Sequence, residues 1–256
     1  MKRTRDLGIV VGRLAPGPSN AITDVPGVRV GHVTVDDGAS LHTGVTAIVP
    51  DQLTAQRPSL PCAVFTGNGH GKLVGSTQVD ELGSLETPIV LTATLSVFRA
   101  ADAVLTYMMG RPGYERVRTL NPLVGETNDG YLSDIRARPI TGQHVVDALA
   151  GATSGRVDEG CVGAGTGTSA LGYKAGIGTA SRVVALGDGT ATVGALVQAN
   201  FSGTLQVLGV PLPAEELLVG GDGGLGAPLQ DEPPGNSCMI VVATDAAVDA
   251  RQLGRM

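Results

Sequence analysis

The segment VVALGDGTATVGALV, residues 183–197, holds two apolar runs on either side of the turn Gly187-Asp188-Gly189. Runs rich in β-branched residues predict strands, and the short glycine-containing turn between them predicts a β-hairpin. Met239 to Thr244 is a continuous apolar run, which is typical of a central strand. Further strands are predicted over Val28 to Val35, Gly44 to Val49, Ala63 to Thr66 and Ile89 to Leu95.

Two segments have the helical period instead. From Ser96 to Met109 the apolar residues recur at helical spacing, and Gly110 follows as a stop signal. A second helix is predicted to begin after Thr141 as N-cap and to end at Gly151. Because long runs of strands are interrupted by few helices, the sequence predicts an α+β layered fold. Residues 220–235, rich in Gly, Pro and acidic residues, are expected to form a surface loop.

Amino-acid composition and net charge exclude several classes of protein. The 256 residues carry a formal net charge of −6, which excludes a globally basic nucleic-acid-binding protein. Hydrophobic residues make up 42% and charged residues 16%, a balance that favours a packed interior over a disordered chain. No apolar run approaches the ~20 residues that cross a bilayer, and the basic N-terminus lacks the apolar stretch of a signal peptide. We therefore expect a cytoplasmic protein without membrane or nucleic-acid partners.

Metal and cofactor signals are weak. Cys62, Cys161 and Cys238 are scattered and form no CxxC pair, which argues against a disulfide framework and a zinc site and favours a reducing compartment. The stretch Gly163 to Thr168 resembles a nucleotide-binding glycine loop, but glycines continue at Gly172, where the helix of a dinucleotide site would lie. We expect a tight, glycine-packed turn there, with no metal and no organic cofactor.

Two turn-prone stretches concentrate polar groups in apolar surroundings. Residues 121–131 (NPLVGETNDGY) supply a carboxylate, amides and a phenol, and residues 233–238 (PPGNSC) form a rigid turn before the last strand. By composition alone, each is more readily an ordinary loop than a site.

At these stretches the sequence resembles the DmpA family of N-terminal-nucleophile aminopeptidases, serine peptidases that include L-aminopeptidase/D-esterases and β-peptidyl aminopeptidases. The resemblance covers nearly the whole chain. Matching motifs follow in the family's order at residues 5–9, 20–25, 30–32, 43–48, 124–129, 176–182 and 197–200, with Ser237 ahead of residues 240–245. So many motifs in one order make the resemblance specific. It implies an αββα sandwich of the DmpA type, incomplete at the C-terminal end.

The resemblance also implies residue roles. The chain would cleave itself between Asn236 and Ser237, because the Ser237 hydroxyl can attack the preceding carbonyl and then gain a free α-amine. Such an amine titrates at about pH 8, so its neutral fraction could serve as base for the adjacent hydroxyl. By the same resemblance, Asn200 matches the oxyanion-hole residue, Glu126 the carboxylate that pairs with the substrate's ammonium, and Tyr131 a substrate-proximal tyrosine.

The implied function is release of N-terminal residues from small peptides, amides or esters that have a free amino group, by a homo-oligomer. Family chains continue beyond the nucleophile strand with a Ser and a Glu that assist the nucleophile, whereas this sequence ends at Met256. We therefore expect a fragment, a truncated member, or a chain that another polypeptide completes. Two alternatives stay open: an amidohydrolase acting on acyl or pantetheine-type amides, and a catalytically inactive member retained as a structural or interaction subunit.

Overall fold

The computed structural model describes residues 2–218 and 236–256. The strands are, in chain order, β1 (Val28–Asp36), β2 (His42–Pro50), β3 (Leu60–Pro61), β4 (Leu73–Val74), β5 (Ser84–Leu85), β6 (Ile89–Ala93), β7 (Leu123–Thr127), β8 (Ser169–Ala170), β9 (Tyr173–Lys174), β10 (Ile177–Leu186), β11 (Gly189–Phe201), β12 (Leu205–Val207), β13 (Val210–Leu212) and β14 (Asn236–Thr244). The helices are α1 (Ser76–Leu82), α2 (Val97–Met109), α3 (Gly142–Ala150), α4 (Ala214–Leu217) and α5 (Ala250–Leu253). None of these helices combines the length and apolarity needed to cross a bilayer.

Two sheets carry the architecture. The first has the order β1-β2-β6-β7-β4, in which only the β6–β7 pair is parallel among the described strands. The second has the order β10-β11-β8-β9, and β14 also pairs with β11, antiparallel. Helices α2 and α3 pack on the first sheet, and the second sheet covers its other face. The α+β class is confirmed, and the described residues form three layers, helix on sheet on sheet.

Side chains that alternate along the central strands of the first sheet pack into two hydrophobic cores, one on each face of the sheet. Successive side chains of a strand point to opposite faces. Val90 of β6 therefore packs with Val104 of α2 in the core under the helices. Its neighbour Leu91 packs with Leu196 of β11 in the core between the sheets. Strands with both faces covered are buried throughout, as β2 is along nearly its whole length.

A close approach fixes the position of β11. A Cβ atom placed on Gly194 would lie 2.7 Å from Ile22 Cα, so only glycine fits where β11 passes the short 3-10 turn Ile22–Asp24. Ile22 itself is fully buried in the core between the sheets. This contact ties the long strand of the second sheet to the beginning of the chain.

The local predictions for the hairpin and the two helices are confirmed. The turn Gly187-Asp188-Gly189 joins β10 to β11, both longer than predicted. Helix α2 ends at Gly110, and the Thr141 hydroxyl caps α3 by accepting the His144 N–H. Strands β1, β2 and β6 also lie where they were expected.

Two strand predictions need correction. Residues 63–66 form no strand: Phe65 is 91% exposed, and the run lies beside no partner strand in the described ranges. Residues 239–244 do form a strand, but among the described strands it pairs only with β11 and so is not a central one. Ile240 and Val242 are 61% and 48% exposed, because the outward face of β14 is covered by nothing among residues 2–218 and 236–256. The predicted loop over 220–235 lies outside the described residues.

Candidate active site

Ser237 and Asn200 face each other across two antiparallel strands. The register of β11 and β14 places them directly opposite, although 37 positions separate them in sequence. The Asn200 Nδ2 donates a hydrogen bond of 2.9 Å to the Ser237 Oγ. Asn200 is only 6% exposed, and Ser237 is half-buried. The structure thus brings together the hydroxyl and the amide that the sequence analysis selected.

A second donor converges on the same hydroxyl. The backbone N–H of Asn128 lies 3.3 Å from the Ser237 Oγ. Asn128 directly follows β7 of the first sheet, so the two donors come from different sheets. The sequence analysis missed this residue as a candidate. A backbone donor has no side-chain signature, and only its place within the motif at residues 124–129 could have indicated it.

Buried polar contacts hold the two sheets together behind the site. Gln198, fully buried on β11, donates through Nε2 to the Thr127 Oγ1 at 2.7 Å and to the Ala164 carbonyl at 2.8 Å. Thr127 is the last residue of β7, immediately before Asn128. The side chain of Gln198 therefore links the strand that carries Asn200 to the strand that leads to the Asn128 backbone donor. Its role was also missed by the sequence analysis, where it appeared only within a family motif.

Glu126 is buried and already paired. It is 4% exposed at the end of β7. Its Oε1 accepts the Lys72 backbone N–H at 3.0 Å and lies 3.2 Å from the Lys72 ammonium. A Cβ atom on Gly71 would lie 2.9 Å from the same oxygen, so glycine lets the chain approach this closely. A substrate ammonium at Glu126 would share the carboxylate with Lys72 or displace the Lys72 ammonium from it.

Asp129 places a second carboxyl group next to the site. It is 2% exposed, and its Oδ1 has no hydrogen-bond partner among the described residues. Burial raises the pKa of Asp129 to about 6, and the negative charge of Glu126 adds to the shift. Desolvation disfavours an ionised carboxyl group. The sequence analysis quoted this residue within residues 121–131 but gave it no role.

Tyr131 lies further out in the same turn. It is 41% exposed. Within the described part of the chain, no hydrogen bond joins its hydroxyl to Ser237, Asn200 or Glu126. Its proximity to substrate remains a prediction.

Residues 2–218 and 236–256 also contain no group of three or more His, Cys, Asp or Glu side chains arranged to hold a metal ion.

The sequence profile of Peptidase family S58 matches residues 20–256. The chain belongs to this family. A beta-peptidyl aminopeptidase, BapA, from Sphingosinicella xenopeptidilytica is 40% identical over 279 residues, an alignment that covers 99% of this chain and 66% of BapA. This chain thus spans about two thirds of the length of that relative.

Solved structures agree with this assignment. A beta-aminopeptidase of a Burkholderia species is 42% identical with a TM-score of 0.84, covering 99% of this chain and 69% of that one. The L-aminopeptidase D-Ala-esterase/amidase of Ochrobactrum anthropi is 35% identical with a TM-score of 0.85, covering 99% of this chain and 70% of that one. It is described as a prototype of the serine aminopeptidases and a variant of the Ntn hydrolase fold. The resemblance to the DmpA family is thereby confirmed, and the predicted class of function, an N-terminal-nucleophile serine aminopeptidase, is supported.

Proposed function

We propose that this chain carries the nucleophile, the oxyanion donors and the ammonium anchor of a self-processing aminopeptidase. The substrates are small peptides, amides or esters with a free amino group. One observation carries the proposal: the Asn200 amide donates to the Ser237 hydroxyl at 2.9 Å, so a buried N–H group is fixed beside the expected nucleophile. The family membership and the beta-peptidyl aminopeptidase relative support the same chemistry.

Self-processing is the first step of the proposal. The Ser237 Oγ attacks the backbone carbonyl carbon of Asn236, the peptide nitrogen of Ser237 leaves with the hydroxyl proton, and an ester links the two residues. Water then hydrolyses the ester and leaves Ser237 with a free α-amine. We assign stabilisation of the charge that develops on the carbonyl oxygen to the Asn200 Nδ2 and the Asn128 N–H, which lie beside the attacking atom, 2.9 and 3.3 Å from the Ser237 Oγ.

Turnover uses the same atoms. The α-amine of Ser237 takes the hydroxyl proton while Oγ attacks the substrate carbonyl, and it then gives that proton to the departing amine. Water releases the acyl group. An α-amine titrates at about pH 8, so part of it is neutral and able to act as base at neutral pH. Glu126 binds the substrate's ammonium, sharing its carboxylate with Lys72.

Intact mass spectrometry tests self-processing directly. The purified wild type should separate into two fragments divided between Asn236 and Ser237, while Ser237→Ala should remain one chain. Division that persists in Ser237→Ala would overturn the assignment of the nucleophile. An undivided, inactive wild type would support the structural-subunit alternative instead.

A second candidate function rests on the Lys72–Glu126 pair. Because Lys72 already offsets the charge of Glu126 at 3.2 Å, the site does not require a cation from the substrate. An amidohydrolase acting on acyl or pantetheine-type amides would fit such a site. Amino-acid p-nitroanilides compared with their N-acetylated analogues separate the two functions, since the aminopeptidase should hydrolyse only the former.

Location and assembly are also part of the proposal. We place the protein in the cytoplasm as a homo-oligomer, with neither nucleic-acid nor membrane partners. Three free cysteines suit a reducing compartment, and the net charge of −6 disfavours binding to nucleic acid. Light scattering coupled to gel filtration gives the assembly state, and a monomeric mass would contradict the homo-oligomer.

A further inference from the structure

The glycine-rich stretch Gly163 to Thr168 packs inside the protein. Its first three residues form a buried 3-10 turn, and the Ala164 N–H donates to the Thr46 Oγ1 of β2 at 3.1 Å. A Cβ atom on Gly165 would lie 2.4 Å from the Ile177 nitrogen, so only glycine lets the stretch pass the start of β10. The glycines therefore serve close backbone packing.

The ammonium of Lys174, an exposed residue, fastens this stretch. The Lys174 Nζ donates to the carbonyl oxygens of Thr168 at 2.9 Å, Ala175 at 2.7 Å and Gly165 at 3.3 Å. A lysine ammonium has three N–H donors, so each one is used. Burial lowers the pKa of Lys174, while the neighbouring Cys161 thiol acts in the opposite direction. The Lys174 ammonium thus binds two carbonyl oxygens of the stretch, those of Gly165 and Thr168.

The same stretch orients the oxyanion amide. Directly after Thr168, the Ser169 N–H donates to the Asn200 Oδ1 at 3.2 Å in a buried position. Rotation of a side-chain amide by 180° exchanges the positions of its oxygen and its nitrogen. With Oδ1 held by Ser169, Nδ2 is directed at the Ser237 Oγ. The reversed amide would present an oxygen to a developing negative charge.

We propose that Lys174 is a positioning residue for catalysis. Its ammonium holds the carbonyls of Gly165 and Thr168, so that the following Ser169 N–H selects the orientation in which the Asn200 amide donates to Ser237. The catalytic consequence of this inference rests on the proposed function. The orientation of the amide does not, and it can be measured without turnover.

Nuclear magnetic resonance of the Asn200 side-chain amide is the deciding measurement. The pair of amide proton signals is assigned as the one lost in Asn200→Ala. In Lys174→Met these signals should move towards the values of a free, rapidly exchanging amide. Lys2→Met is the matched control, since within the described residues Lys2 makes no hydrogen bond to residues 163–169, and it should leave the signals unchanged. Unchanged signals in folded Lys174→Met would overturn the proposal.

Kinetics then separate positioning from a general structural effect. Lys174→Met should lower kcat about 10- to 100-fold, less than full loss of an oxyanion donor, and leave KM within about twofold. Lys174→Arg should recover most of the loss because it keeps the charge. In an Asn200→Ala background, Lys174→Met should cause no further loss, and an equal loss in both backgrounds would contradict action through Asn200.

Two further outcomes are covered by this design. If Lys174→Met does not fold, Lys174→Gln replaces it, because glutamine keeps a donor without the charge, and the same signals decide. If the wild type shows no turnover, the proposed function fails, while the resonance comparison still decides the role of Lys174.

Discussion

Replacing Asn200 with alanine is the most informative perturbation of the site. It removes the Nδ2 donor that lies 2.9 Å from the Ser237 Oγ, in a residue that is 6% exposed. Loss of one buried oxyanion donor lowers kcat by about 10²–10³, or about 2.7–4 kcal/mol. We expect a loss in this range for the release of p-nitroaniline from an amino-acid p-nitroanilide, with KM nearly unchanged because Glu126 is left intact.

The same substitution should cost stability. The Asn200 Oδ1 accepts the Ser169 N–H at 3.2 Å in a buried position, and alanine offers no acceptor. Removal of a buried hydrogen-bond partner costs about 1–3 kcal/mol. Urea unfolding of the variant measures this loss, and it also shows whether the protein in the kinetic assay is folded.

Asn128→Ala is the matched control. Asn128 contacts the Ser237 Oγ through its backbone N–H, and its side chain accepts only the local Gly130 N–H in the described structure. Alanine keeps the backbone donor, so kcat should change less than about fivefold, equivalent to about 1 kcal/mol. A folded Asn200→Ala variant whose kcat stays within tenfold of wild type would refute the assignment of Asn200 as oxyanion donor.

Three further predictions concern the charged groups and the site's packing. Lys72→Met should lower KM for substrates with a free amine several-fold, because the Glu126 carboxylate no longer pairs with Lys72 at 3.2 Å; an unchanged KM would argue against Glu126 as anchor. Because the pKa of Asp129 is raised from 3.8 to about 6, the folded state favours the protonated carboxyl group. Ionisation of Asp129 therefore destabilises the folded state, and the free energy of unfolding falls as pH rises through that interval. Urea unfolding should therefore show wild type losing up to ~3 kcal/mol relative to Asp129→Asn between about pH 4 and pH 7, whereas a pH-independent difference would contradict the raised pKa. Gly71→Ala should raise KM for amine substrates, because the added Cβ would lie 2.9 Å from the Glu126 Oε1. Steady-state kinetics measure this effect, and an unaltered KM would show that the backbone at residue 71 shifts to make room for the methyl group.

Locally determined elements were predictable from the sequence. Gly110 ends α2, Thr141 caps α3, and the Gly187-Asp188-Gly189 turn joins two strands, because each signal lies within a few residues of its effect. Residues 63–66 and the exposure of Ile240 were not predictable, since both depend on whether distant parts of the chain supply a partner strand or a covering layer.

The candidate site likewise has features that the sequence predicted and features that depend on distant parts of the chain. Ser237, Asn200 and Glu126 were selected by resemblance to a family, and composition alone would have left the segments of Ser237 and Glu126 as loops. Their geometry is set by register and packing: residues 37 apart meet at 2.9 Å only because β11 and β14 pair antiparallel. The pairing of Glu126 with Lys72 had no sequence signal, because it depends on the path of the chain before β4.

The pairing of Asn200 with Ser237 makes the site sensitive to changes in chain length. A single residue inserted between Gly194, which is held against Ile22, and Asn200 would turn the amide to the opposite surface of the sheet, because side chains alternate along a strand. Every functional group would still be present in such a protein. Insertions and deletions in this short interval are therefore expected to abolish activity more often than most amino-acid replacements there.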